Sequence, residues 1–162
     1  MTVRWEEVDF NDLLARIIAV ALETIADSEG KPYWLHSQEA FPFFIAKIEQ
    51  MRHAKDGDEI DQSEFRIRLR HVTGNRTAGY AGEAEQRLYE QAPLMIGALD
   101  SCGFLQSAAY PEAPDHLEEV ELESGGEVQP FDASAIGGDA LQIGTDYVLR
   151  CSMRIVNEER YY

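Results

Sequence analysis

The chain has 162 residues, with 14 Lys and Arg against 30 Asp and Glu, a formal net charge of −16. This length suits one domain whose core needs no disulfide or metal staple, and 44% apolar residues exclude wholesale disorder. A surface this acidic repels phosphate and anionic lipid, which excludes non-specific nucleic-acid binding and membrane-surface binding.

The first ten residues, MTVRWEEVDF, hold no apolar core of the kind a signal peptide needs. The longest apolar run, Ile17 to Leu22, is far too short to span a bilayer. The expected setting is the cytoplasm. From Asp9 to Ala26, apolar residues recur at three- and four-residue steps (Phe10, Leu13, Leu14, Ile17, Ile18, Ala21, Leu22, Ile25), which predicts an amphipathic helix with its stripe in the core. Asp9 is the expected N-cap, with Asp12 three residues on. Gly30 and Pro32 are the expected stop.

Phe41 to Met51, FPFFIAKIEQM, reads as a strand that begins beside Pro42. Arg52 to Gln62 reads as a polar hairpin loop around Asp56-Gly57. It is not a calcium loop: with Ile60 and Glu64 in EF-hand register, His53, Lys55 and Gly57 fall where ligands belong. Ser63 to Val72, SEFRIRLRHV, alternates strictly, with Phe65, Ile67 and Leu69 on one side and Arg66, Arg68 and Arg70 on the other.

A glycine-bearing loop, Val72 to Gly82, leads to a second helix whose apolar residues are Leu88, Ala92, Met95, Ile96 and Leu99. Gly103 is its expected terminus. Pro93 lies inside the pattern and predicts a kink or two short helices. The acidic stretch from Ala109 to Gly138 reads as an insert, either a long loop or one short hairpin around Gly125-Gly126. Asp146 to Val156 closes the chain as an alternating strand with Arg150 and Arg154 on one side.

The order of elements predicts a single α+β domain over residues 1–162: a small, mostly antiparallel sheet with two main helices packed on one face. Cys102 and Cys151 form no metal-type pair and read as reduced thiols. The four histidines are scattered, and no nucleophile elbow or phosphate loop occurs. The reading is therefore not an enzyme, with no catalytic residue, metal or cofactor expected. Five arginines on two strands (Arg66, Arg68, Arg70, Arg150 and Arg154) would share one sheet face if those strands are neighbours. They are the candidate subunit contacts, because guanidinium–carboxylate forks suit polar interfaces. The bland alternative is a solvated face with local ion pairs.

The helix, then EAFPFFIAKIE, a polar hairpin, EFRIRLRHV, a second helix GEAEQRLYEQAPLMIGAL and a closing strand GTDYVLRCSMRIVNE together resemble tail-terminator and related tail-completion proteins of tailed bacteriophages. That resemblance is one of order and pattern over most of the chain. It implies a structural subunit of a homo-oligomeric, hexameric ring that caps the tail tube and connects it to the head. The implied partners are tail-tube protein and neck or connector proteins, with DNA only as passing cargo and no membrane. The implied location is the host cytoplasm during assembly and then the virion. Glu118, Glu119, Glu121 and Glu123 are candidates for an acidic lumen or partner loop, since a channel for DNA should not grip phosphate. The insert is longer than the family pattern. The alternatives are another neck or head–tail connector protein, an acidic DNA-mimic inhibitor, and an enzyme with a site assembled from distant residues.

Overall fold

The computed structural model describes residues 7–26, 28–31, 42–54, 60–75, 81–101, 105–114, 117–132 and 141–156. Helix α1 spans Phe10–Thr24. The Asp9 carboxylate accepts from the Asp12 backbone N–H at 3.0 Å, which satisfies one of the orphan donors at the helix start. Asp12 then holds Arg16 one turn on at 2.8 Å. Leu13, Ile17, Val20 and Ala21 are the buried face. The helix ends before Gly30, which lies in strand β1 (Glu29–Lys31) rather than stopping the helix. A Cβ on Gly30 would sit 2.5 Å from the Ile18 Cγ2, so glycine lets the strand lie close under α1.

Strand β2 (Phe43–Ala54) starts just after Pro42, as expected. Strand β3 runs Ile60–Asn75. These two strands take up most of the segment expected as a loop, and its turn signal, Asp56-Gly57, lies outside the described residues. Helix α2 spans Ala81–Asp100 as one helix that passes through Pro93. Two short helices do not form. Pro93 and Tyr89, whose carbonyl the proline cannot bond, are both exposed, while Ala92, Met95 and Leu99 are buried on the opposite side. The expected terminus Gly103 lies outside the described residues.

Strands β4 (Leu117–Ser124), β5 (Val128–Asp132) and β6 (Leu141–Val156) complete a sheet of order β1-β2-β3-β6-β4, with β5 also on β6. Only the β1/β2 pair is parallel. The acidic insert is therefore neither a long loop nor a hairpin. Both of its strands run antiparallel to β6, β4 along Val148–Met153 and β5 along Leu141–Thr145, as one interrupted edge. Gly125 and Gly126 form the interruption. A Cβ on Gly125 would overlap the Tyr147 ring, and Gly126 has φ +88°, so this step over the tyrosine needs glycine twice.

Both helices cover one sheet face, as the alternation predicts. Ile17, Ala21, Met95 and Leu99 close over Phe44, Phe65, Ile67, Leu69, Tyr147 and Leu149, all buried. Phe10 meets Phe65 edge to face at 5.4 Å. Burial alone pushes the Tyr147 phenol up to about 12. Cys151 is buried in the core, and Cys102 lies outside the described residues. On the opposite face a small buried cluster of Phe43, Ile45 and Val72 occupies one end.

Candidate functional site: an ion-paired sheet face

The strict alternation of β3 sends Phe65, Ile67 and Leu69 into the core and leaves Arg66, Arg68 and Arg70 on the other face. The same period in β6 buries Tyr147, Leu149, Cys151 and Met153 and turns Asp146 and Arg150 away from them. The two strands are direct neighbours, with Arg66 opposite Arg150 and Arg70 opposite Asp146. Two like charges facing across a ladder repel. The flanking strands supply the carboxylates that offset this.

Arg66 donates a fork to Glu123 on β4, with Nε at 2.8 Å and Nη2 at 2.9 Å, and Glu64 lies 3.5 Å away. Arg150 donates to Glu121 at 2.5 Å, with Glu119 and Glu123 at 3.9 and 4.0 Å. Arg68 bridges Glu49 on β2 at 2.7 Å and Asp146 on β6 at 2.8 Å. Arg70 donates a second fork to Asp146 at 2.8 and 3.1 Å. Asp146 thus accepts from two guanidinium groups while its side chain is only 6% exposed. Lys47 reaches Glu49 at 3.5 Å.

Proton affinities follow these contacts. The hydrogen bond from Arg66 holds the Glu123 carboxyl below the usual carboxylate range against the opposing effect of burial, and the same bond raises Arg66. Glu121 raises Arg150 in the same way. Burial alone would lower Arg68, but its bonds to Asp146 and Glu49 outweigh burial and raise it.

Four of the five arginines singled out from the sequence are brought together. Arg154 pairs opposite Gln62 in the backbone register, and its side chain lies outside the described residues. What they face is the chain's own carboxylates. Glu119, Glu121 and Glu123, read from the sequence as a lining, reach these arginines within the same chain, and Glu118 is exposed on β4. Sequence reasoning missed Asp146, Glu49 and Glu64. Asp146 was within reach of it: an acid four residues before Arg150 in an alternating strand shares its face.

Five cations (Lys47, Arg66, Arg68, Arg70 and Arg150) meet six carboxylates (Glu49, Glu64, Glu119, Glu121, Glu123 and Asp146) in this network, a net of 5 − 6 = −1. The whole chain carries −16.

A cavity of about 260 Å³ lies at the start of α1, lined in part by Asp9, Asp12, Arg16 and Glu112. Arg16 closes one wall through Asp12, the Glu112 carbonyl at 2.5 Å and the Tyr110 ring at 5.0 Å. Among the described residues, no three His, Cys, Asp or Glu side chains are grouped to hold a metal, and no helix is long and apolar enough to cross a membrane. Compared with protein-family models and with curated proteins, the sequence finds no match.

Proposed function

We propose that this chain is a structural, non-catalytic ring subunit of a tailed-phage particle, of the tail-terminator or neck type, and that its ion-paired sheet face takes part in subunit contacts. The observation that carries the association is the charge distribution. Copies that each hold −16 repel wherever their surfaces are acidic. The ion-paired sheet face, near neutral, is where a second copy approaches at least cost. Guanidinium groups that already hold one carboxylate retain donors for another, since each carries five N–H groups. The order of helix, three strands (the short β1 before the expected pair), helix, acidic edge and closing strand supports the resemblance to ring-forming tail proteins.

The test is the mass in solution. Light scattering should find a species of about 110 kDa (six chains of 18.3 kDa) that dissociates as salt rises. A chain that stays at 18.3 kDa at every concentration and ionic strength overturns the self-associating reading. The face is tested by a charge swap, Arg66→Glu with Glu123→Arg. The swap keeps the Arg–Glu pair within the chain and changes what a neighbour meets; it also sets like charges beside Glu64 and Arg150, so a thermal melt checks the fold first. Normal folding with weakened assembly is expected; unchanged assembly removes this face from the contact.

A further inference from the structure

Helix α2 carries three of the four large apolar side chains that are exposed among the described residues: Tyr89 at 65%, Leu94 at 58% and Ile96 at 38%. At 100° per residue they do not scatter. Pro93 and Gly97 form the outward crest of the helix, Tyr89 and Ile96 flank it on one side, and Leu94 flanks it on the other. A Cβ on Gly97 would meet nothing within 4 Å, so neither packing nor backbone geometry calls for glycine there. Pro93 and Gly97 both weaken a helix interior, yet they stand one turn apart on the same exposed crest. Together they leave this exposed apolar face low along Pro93 and Gly97, with Tyr89 and Ile96 to one side and Leu94 to the other. An apolar patch with a polar rim, built at a cost to its own helix, marks a place where something docks.

The rim says what docks. Glu83, Glu90 and Asp100 are exposed on α2. Glu127 is exposed just beyond Gly126, which lies so near this face that a Cβ there would fall 3.2 Å from Ile96. Arg87 is the one basic residue of the helix. A second copy placed two-fold would bring the same acids against these, and one placed head to tail would offer arginines already held by its own carboxylates, so charge disfavours it. We infer that the outer face of α2 is a docking site for an amphipathic helix of another protein, one that sets apolar side chains against Tyr89, Leu94 and Ile96 across the low Pro93/Gly97 crest and basic ones against the acidic rim. This surface lies on the helix side of the sheet, opposite the ion-paired face, and the inference does not depend on how copies of the chain associate.

The probe is a synthetic helical peptide of leucine and lysine with one apolar stripe, titrated calorimetrically into the full chain beside its leucine–glutamate counterpart. The Leu/Lys peptide should bind one to one, and the Leu/Glu peptide should not. Tyr89→Ser with Leu94→Ser removes two of the apolar contacts without changing charge and should weaken binding about tenfold or more. Gly97→Leu raises the low crest while adding apolar surface, and should weaken binding as well. Circular dichroism checks that both variants keep the wild-type spectrum. Equal binding by wild type and both variants would reduce the effect to charge and overturn the site, as would no binding at all. Self-association abolished by the Tyr89→Ser/Leu94→Ser pair would overturn the partner, because the occupant would then be a second copy.

Discussion

Helix α1 and helix α2 cover the same sheet face but follow different rules. In α1 every local choice agrees with the fold: a capping carboxylate at Asp9, an Asp12–Arg16 pair one turn apart, and an apolar stripe that is buried. Its interior holds neither proline nor glycine. In α2, Ala84, Leu88, Ala92, Met95 and Leu99 obey the same periodicity on the buried side. The outward side does not. It carries Pro93, Gly82 and Gly97, and it exposes Tyr89, Leu94 and Ile96 to water. A helix whose residues all serve packing is explained once its core is known. A helix that keeps unfavourable residues where packing makes no demand is answering to something outside the chain.

Four substitutions break or sharpen this contrast, each read as a change in urea-unfolding free energy. The largest effect is expected at Ile17→Ala, since Ile17 is fully buried in α1: a loss of about 2–5 kcal/mol. The matched change on the outer face of α2, Leu94→Ala, should stay within about 0.5 kcal/mol. Equal losses would mean that the exposed leucine is covered in solution. Next is Pro93→Ala. Restoring the bond to the Tyr89 carbonyl should raise stability by about 2 kcal/mol: about 3 for proline inside a helix, less about 1 for the freedom the unfolded chain regains. A loss instead would show that the proline supports the fold, and the contrast between the helices would fail. Asp9→Ala removes the α1 cap and should cost about 1 kcal/mol. No change there would mean that the start of α1 frays and that the cap adds nothing.

The buried half of this molecule is legible in the sequence because periodicity reports burial directly. The α1 stripe, the β3 alternation and the packing of both helices on one sheet face all follow from which residues must leave water. The acidic insert is not legible. LEEVELES reads as loop or strand with equal ease, because its acids are explained only by Arg66 and Arg150, which arrive from strands distant in sequence. Gly125-Gly126 looks like a hairpin turn in sequence. Here it is a step over Tyr147, a residue whose approach no local pattern reveals. The arginine face is legible as a face, since its period is 2, but its partners are not, since Glu49, Glu123 and Asp146 depend on strand order. The continuity of helix α2 escapes a sequence reading for a related reason. Helix propensity alone counts against a proline, whereas here the proline and Tyr89, whose carbonyl it cannot bond, both lie on the exposed side of the helix.

One of the small expected changes carries the most discrimination. Gly97→Ala places a methyl in open space on the crest of α2 and removes the conformational freedom glycine gives the unfolded chain. The isolated protein should therefore become more stable by about 0.5–1 kcal/mol. If the face between Leu94 and Ile96 is a docking site, the same methyl raises its crest and should weaken binding of the Leu/Lys peptide while the fold gains. A residue kept for folding cannot give that pair of results: a gain in stability says the fold does not need glycine, and a loss in affinity says the partner does. Should Gly97→Ala instead destabilise the isolated chain, the glycine serves a contact within the protein. Should it stabilise the chain and leave the peptide unaffected, Gly97 is incidental and the two helices differ only in how well each has been optimised.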